Sequence, residues 1–181
     1  MGTGSGGGVA RKPRSSGDAV IEDFGHAVTF VIEMEGGATI TDDPNDPGGL
    51  TKYGISQRAY PHEDIRALTL ERAEELYRRD YWDAVRGDEM PWPLCLILFD
   101  SAVNQGPQTS IRLFQRSQKL YEDGVIGPVT MKAALKLGKR GTAAVVTARL
   151  THYLRSSKFA LYGTGWYNRC VLLAFECGSG L

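Results

Sequence analysis

Apolar positions along this chain recur mostly with the period of a helix. Phe24, Val28, Val31 and Ile32 follow the i, i+4, i+7, i+8 spacing of one face and predict a helix over residues 23–35. Glu35 falls near the middle of that apolar stripe, whereas Glu33 falls roughly on the opposite side. Leu70, Ala73, Leu76, Tyr77 and Tyr81 predict a second helix over 70–81, with Thr69 as its N-cap. Residues 94–103 are apolar nearly all round, which marks a central buried helix. Pro107 opens a helix expected to reach residue 120, and Pro128, after Gly127, opens one expected to reach residue 137. The longest candidate covers 142–161, with Arg149 set among Val145, Val146, Leu150, Tyr153 and Leu154, where it calls for an acidic partner. Gly163 and Gly165 are expected to break the chain before a last apolar helix running to about residue 175. Only residues 51–55 are β-prone. Together the elements predict an α+β, mainly α-helical fold with a very small β element.

Glu35 is the residue that the pattern does not absorb. An acid on the buried face of a helix is costly unless it is paired, protonated or used. Gly36 and Gly37 then stop the helix, supplying the left-handed geometry of a C-terminal cap. A loop rich in turn formers follows, with Pro44, Pro47, Gly48 and Gly49, lined by Asp42, Asp43 and Asp46. One acid at a helix end facing acids on a rigid loop is the two-carboxylate arrangement of glycoside hydrolysis. The same residues also fit a helix followed by a solvated acidic turn.

The ordered string Glu35-Gly36-Gly37, Asp43-Pro44-Asn45-Asp46-Pro47-Gly48-Gly49 and Thr51-Lys52-Tyr53-Gly54-Ile55 closely resembles the signature of glycoside hydrolase family 108. That family holds lysozyme-like N-acetylmuramidases, found as phage endolysins and secretion-activating proteins. The resemblance covers roughly residues 24–176 and implies a lysozyme-like fold. It implies Glu35 as the catalytic acid and Thr51 as a threonine that helps to hold the attacking water. Asp43 and Asp46 both match acidic positions of the pattern. The run Phe99-Asp100-Ser101-Ala102-Val103-Asn104-Gln105-Gly106 matches a second family signature, and Gly165-Trp166-Tyr167-Asn168-Arg169 its closing motif. On this reading Tyr53, Asp100, Asn104, Gln105, Trp166 and Tyr167 are candidate substrate contacts. Read from the residues alone, Asp100 and Asn104 fit equally well a buried hydrogen-bond network, and Trp166 and Tyr167 fit helix packing. The resemblance divides the chain into a lead over 1–18, a catalytic region over 19–92 and a helical, peptidoglycan-binding region over 93–178, packed into one globule. The expected partner is the glycan strand of peptidoglycan.

Composition narrows the classes further. The chain has 181 residues, with 21 Lys plus Arg against 21 Asp plus Glu, and this balance argues against a nucleic-acid binder that relies on phosphate attraction. No apolar run approaches the roughly 20 residues that span a bilayer, so stable membrane insertion is not expected. Cys95, Cys170 and Cys177 do not make a disulfide framework and read as core thiols. No metal or organic cofactor is expected, and a monomer is. The Gly- and Ser-rich lead carries basic residues but no apolar core, so it does not read as a secretory signal; an enzyme of the cell wall would then leave the cytoplasm by another route.

Overall fold

The computed structural model describes residues 16–42 and 48–179. Residues 1–15 of the expected lead lie outside that range, and Ser16 already belongs to the first helix. The elements are α1 (Ser16–Met34), a hairpin of β1 (Thr51–Lys52) and β2 (Ile55–Ser56), α2 (Leu70–Tyr77), α3 (Leu94–Gln105), α4 (Pro107–Ser117), α5 (Pro128–Ala134), α6 (Lys139–Leu154) and α7 (Phe159–Ser179). Helices dominate and the sheet has two strands, so the α+β, mainly helical expectation holds.

The axis of the fold is α3. All nine residues from Leu94 to Ala102 are buried, as an all-round apolar helix requires, and α1, α4 and α6 pack around it. Phe99 is the aromatic hub. Its ring lies 5.5 Å from Trp82 and 6.1 Å from both Phe24 and Tyr77, mostly edge to face. One continuous core runs from Ala27 to Cys177. The three cysteines are free and buried, as core thiols should be.

Several local rules work as expected. Thr69 caps α2, its side chain accepting from the Arg72 N–H at 3.2 Å. Gly127 and Pro128 open α5. Gln115, buried on α4, ties the preceding turn down: its amide oxygen accepts from the Gly124 N–H at 2.9 Å, and its NH2 donates to the Val125 carbonyl at 3.0 Å.

Other expectations change. The second helix does not stay α-helical to residue 81; after Tyr77 it widens into a five-residue π turn, Arg78–Trp82. The helix over 142–161 stops at Leu154, and Gly163 and Gly165 do not break the chain. Ser156 starts a new helix instead, its hydroxyl accepting from the Lys158 N–H at 3.2 Å and its carbonyl from the Phe159 N–H at 3.0 Å. From there α7 runs straight through both glycines. Gly163 sits against the Phe159 ring, where a Cβ would come within 2.9 Å, and Trp166 stacks on Tyr153 of α6 at 4.7 Å. That packing outweighs the roughly 1 kcal/mol that a helix-interior glycine costs.

Phe99→Ala removes the ring on which Phe24, Tyr77 and Trp82 converge and should destabilise the fold by about 3–5 kcal/mol. Urea unfolding followed by tryptophan fluorescence measures this, and a loss below about 1 kcal/mol would contradict a central role for that ring.

Candidate active site

Glu35 is placed by the way α1 ends. The Gly37 N–H bonds the Ile32 carbonyl at 2.9 Å and the Gly36 N–H bonds the Glu33 carbonyl at 3.2 Å, the paired bonds of a Schellman cap. Gly36 and Gly37 hold φ of 92° and 62°, which side-chain-bearing residues rarely adopt. Glu35 is therefore the C-cap residue, held at the last helical turn with its side chain 27% exposed.

The hairpin closes over this side chain. Thr51 pairs with Ser56 and Lys52 with Ile55, so the connecting turn is only Tyr53-Gly54. Both turn residues have positive φ, 52° and 75°, the geometry of a type I′ turn. The Tyr53 N–H bonds the Gly37 carbonyl at 3.0 Å, and the Tyr77 hydroxyl donates to the Tyr53 carbonyl at 2.8 Å. Gly54 then lies directly on Glu35: a Cβ there would stand 2.7 Å from the Glu35 Cβ and 2.4 Å from the Tyr77 hydroxyl oxygen. Thr51 bridges to Thr41, and its hydroxyl donates to the Gly49 carbonyl at 3.0 Å. Asp43 and Asp46 lie outside the described residues. Asp42, next to them, is exposed and pairs with Arg66 at 2.7 Å.

From the other side Glu35 meets Arg169 of α7. The Arg169 Nη1 donates to Glu35 Oε1 at 2.6 Å. Its Nε donates to Asp100 Oδ1 at 2.8 Å, and Nη2 lies 2.7 Å from the same oxygen. Asp100 Oδ2 is held in turn by Arg149 of α6. Arg149 donates through Nε and Nη2 to the Tyr153 hydroxyl, at 3.1 and 3.0 Å, and that hydroxyl donates to Asn104 Oδ1 at 2.5 Å. The charges alternate along this chain: Glu35, Arg169, Asp100, Arg149.

The side chains of Asp100 and Arg149 are 0% and 1% exposed. Burial alone would push the Asp100 carboxyl up, but the two guanidinium groups outweigh it and hold the carboxyl below its usual range. Burial likewise works against the charge on Arg149 and Arg169, and Asp100 more than restores it in both. The Tyr77 hydroxyl is pushed up by burial and by the facing Glu35 carboxylate.

The structure thus joins Glu35, Asp100 and Asn104 in one network, with Trp166 stacked on its Tyr153. It does not make Asp100 a surface contact, because a side chain with no exposure cannot reach a ligand; the buried-network reading describes it instead. Gln105 sits beside the network, its amide oxygen accepting from the Ser101 hydroxyl at 2.7 Å. Tyr167 packs edge-on to Phe159 and is 40% exposed. Sequence reasoning missed Arg169 as the partner of Glu35 and Tyr77 as the brace behind the hairpin. Arg169 had a signal, as the last residue of the 165–169 motif and a cation in an apolar helix. Among the described residues no group of three His, Cys, Asp or Glu side chains could hold a metal, and no helix is long and apolar enough to cross a membrane.

Glu35 thus stands at a helix end, under a tight hairpin and against Arg169. The sequence profile described as Glycosyl hydrolase 108 matches residues 28–106, from the last part of α1 through the hairpin and α2 to the end of α3. The solved structure of SagA from Brucella abortus is 30% identical, superposes with a TM-score of 0.77, and the match covers 88% of this chain and 95% of that one. No curated protein matches. The chain belongs to glycosyl hydrolase family 108 and has its lysozyme-like fold.

Two substitutions probe the site. Gly54→Ala forces a Cβ into Glu35 and Tyr77 at a φ that alanine resists, and should cost about 1–3 kcal/mol of stability. Thermal melts measure it, and an unchanged Tm would mean that the hairpin does not rest on Glu35. Asp100→Asn leaves the buried Arg149 without a carboxylate and Arg169 with Glu35 alone, and should destabilise the protein by about 3–5 kcal/mol at neutral pH. The folded pKa of Asp100 lies below the unfolded value. Its contribution is therefore complete above about pH 4 and is lost as pH falls through the lower folded value. The gap between wild type and Asp100→Asn in urea titrations should narrow in that acidic window; a gap constant from pH 7 to pH 2 would count against the charge network.

Proposed function

We propose that this glycoside hydrolase is an N-acetylmuramidase, which cleaves the β-1,4 bond between N-acetylmuramic acid and N-acetylglucosamine in peptidoglycan. The observation that carries the reading is the state of the Glu35 carboxyl. Arg169 fixes Oε1, while among the described residues Oε2 accepts no hydrogen bond, and the side chain remains partly open to solvent. A general acid needs this combination, one oxygen anchored and the other able to present a proton to the glycosidic oxygen. Arg169 faces Asp100 as well as Glu35, so its position does not depend on Glu35 alone.

An acid of the adjacent loop, Asp43 or Asp46, would supply the second carboxylate, and Thr51 would hold the attacking water. A held water favours inversion, in which the two carboxyls stand roughly 6.5–9.5 Å apart rather than about 5 Å. Tyr53, Asn104, Gln105, Trp166 and Tyr167 would line the strand, and the helical region over 93–178 would hold the wall polymer. The place of action would be the bacterial cell wall. The resemblance of the 35–55 signature supports the choice of bond over that in chitin-type polymers.

Purified peptidoglycan treated with wild type should release fragments with muramic acid at the reducing end, identified by mass spectrometry. Glu35→Gln keeps the shape of the side chain but cannot donate the proton, so the rate should fall at least about a hundredfold. Wall binding by both proteins without fragments from either would replace the enzyme by a wall-binding component.

A further inference from the structure

A concave site that Glu35 does not line opens beside Tyr81. It is an open cavity of about 520 Å³, within the range of small-molecule sites, between the loop after β2 and the π turn that ends α2. Tyr60 and Tyr81 give it aromatic surface, and Arg79 and Asp80 give it polar groups. The Tyr60 hydroxyl donates to Asp80 Oδ2 at 2.9 Å. Burial, helped by Tyr81 and Asp80, pushes that hydroxyl up, so it stays a proton donor across the working pH range. Arg79 grips the same carboxylate at 2.7 Å through Nε and Nη2, which leaves three of its five N–H donors free of the pair.

The π turn is the device that builds this wall. Successive residues of a regular helix point about 100° apart. The widened turn brings Arg79, Asp80 and Tyr81, three in a row, to one cavity. Turns of this kind are rare and occur frequently at functional sites. The wall is also shared with the Glu35 site: the Tyr81 ring lies 5.9 Å from that of Tyr77, whose hydroxyl holds the hairpin over Glu35.

Arg79 pairs with Asp80 within the cavity, and Glu63 on its wall pairs with Arg72 outside it. A site whose carboxylates are each paired with a guanidinium, and which has aromatic faces, suits an uncharged polyhydroxyl ligand. Ring C–H groups would pack on the tyrosines and hydroxyl or N-acetyl groups would meet Asp80 and Arg79. We infer that the Tyr60–Tyr81–Asp80 cavity is a distal saccharide subsite, which binds an N-acetylhexosamine unit of the glycan strand away from the bond being cut. This rests on the glycan reading of the Glu35 site.

Two measurements separate the subsite from the reaction. Glu35→Gln, which should keep substrate intact, is titrated with peptide-free peptidoglycan tetrasaccharide and octasaccharide by NMR, while the wild type is assayed for hydrolysis of the same octasaccharide. The octasaccharide should shift the Tyr60 and Tyr81 ring signals. In the Glu35→Gln background, Ala59→Trp, which fills the cavity from an exposed position, should weaken octasaccharide binding about tenfold and leave the tetrasaccharide unchanged. Asp80→Asn, which keeps the shape, should also weaken it if Ala59→Trp fails to fold. In the active enzyme either change should raise KM for long strands and spare kcat. Ring shifts that vanish in these variants support the subsite even if the wild type cuts nothing, in which case only the muramidase reading falls. Hydrolysis by the wild type with no shift at Tyr60 or Tyr81 overturns the subsite alone. Neither binding nor hydrolysis overturns both.

Discussion

A carboxylate cut off from water must be neutral or be surrounded by cations, and Asp100 is surrounded. Arg149 comes to it from α6 and Arg169 from α7, while Asp100 itself sits on the central helix. Apolar packing alone would allow these three helices to slide by a fraction of a turn with little change in buried area. Two guanidinium groups converging on one carboxylate allow no such slide, because a displaced helix would strand a buried charge. The orientation of α7 follows from this, and with it the position of the remaining face of Arg169, which points at Glu35.

Glu35 is consequently held between two surfaces of different origin. On one side stands the guanidinium of a helix far away in sequence. On the other stands bare backbone, the Tyr53-Gly54 turn, close enough that no side chain fits between. The Schellman cap fixes the main chain below. Little freedom is left to the carboxyl. The aromatic stack of Phe24, Phe99, Trp82 and Tyr77 carries this geometry into the core, since the hydroxyl of Tyr77 is also the support of the hairpin.

What the sequence made legible was local. Periodicity located the apolar faces of α1 and α2, the Gly36-Gly37 pair announced the cap, and the isolated β-prone run became the hairpin. Arg149 among apolar neighbours announced that an acid would be found. The identity of that acid was not readable, because Asp100 fits a groove wall and a buried network equally well until its partners are known. Arg169 as the partner of Glu35 depended on a contact across 134 residues, which no local pattern encodes. The helix boundaries near 155–165 were misjudged for a related reason. The glycines spoke for a break, and the opposing terms, a serine cap and an aromatic stack against another helix, arise only on folding.

The long reach of that one ion pair has a consequence for when the protein becomes competent. Glu35 and Arg169 stand 134 residues apart, so a polypeptide that stops short of α7 holds Glu35 and the hairpin without that guanidinium. Closure of α7 onto α1, which also joins His26 to Glu176, completes the pairing of Glu35. The molecule therefore carries its own timing: the Glu35 carboxyl gains its cation only after α7 has been made and has docked.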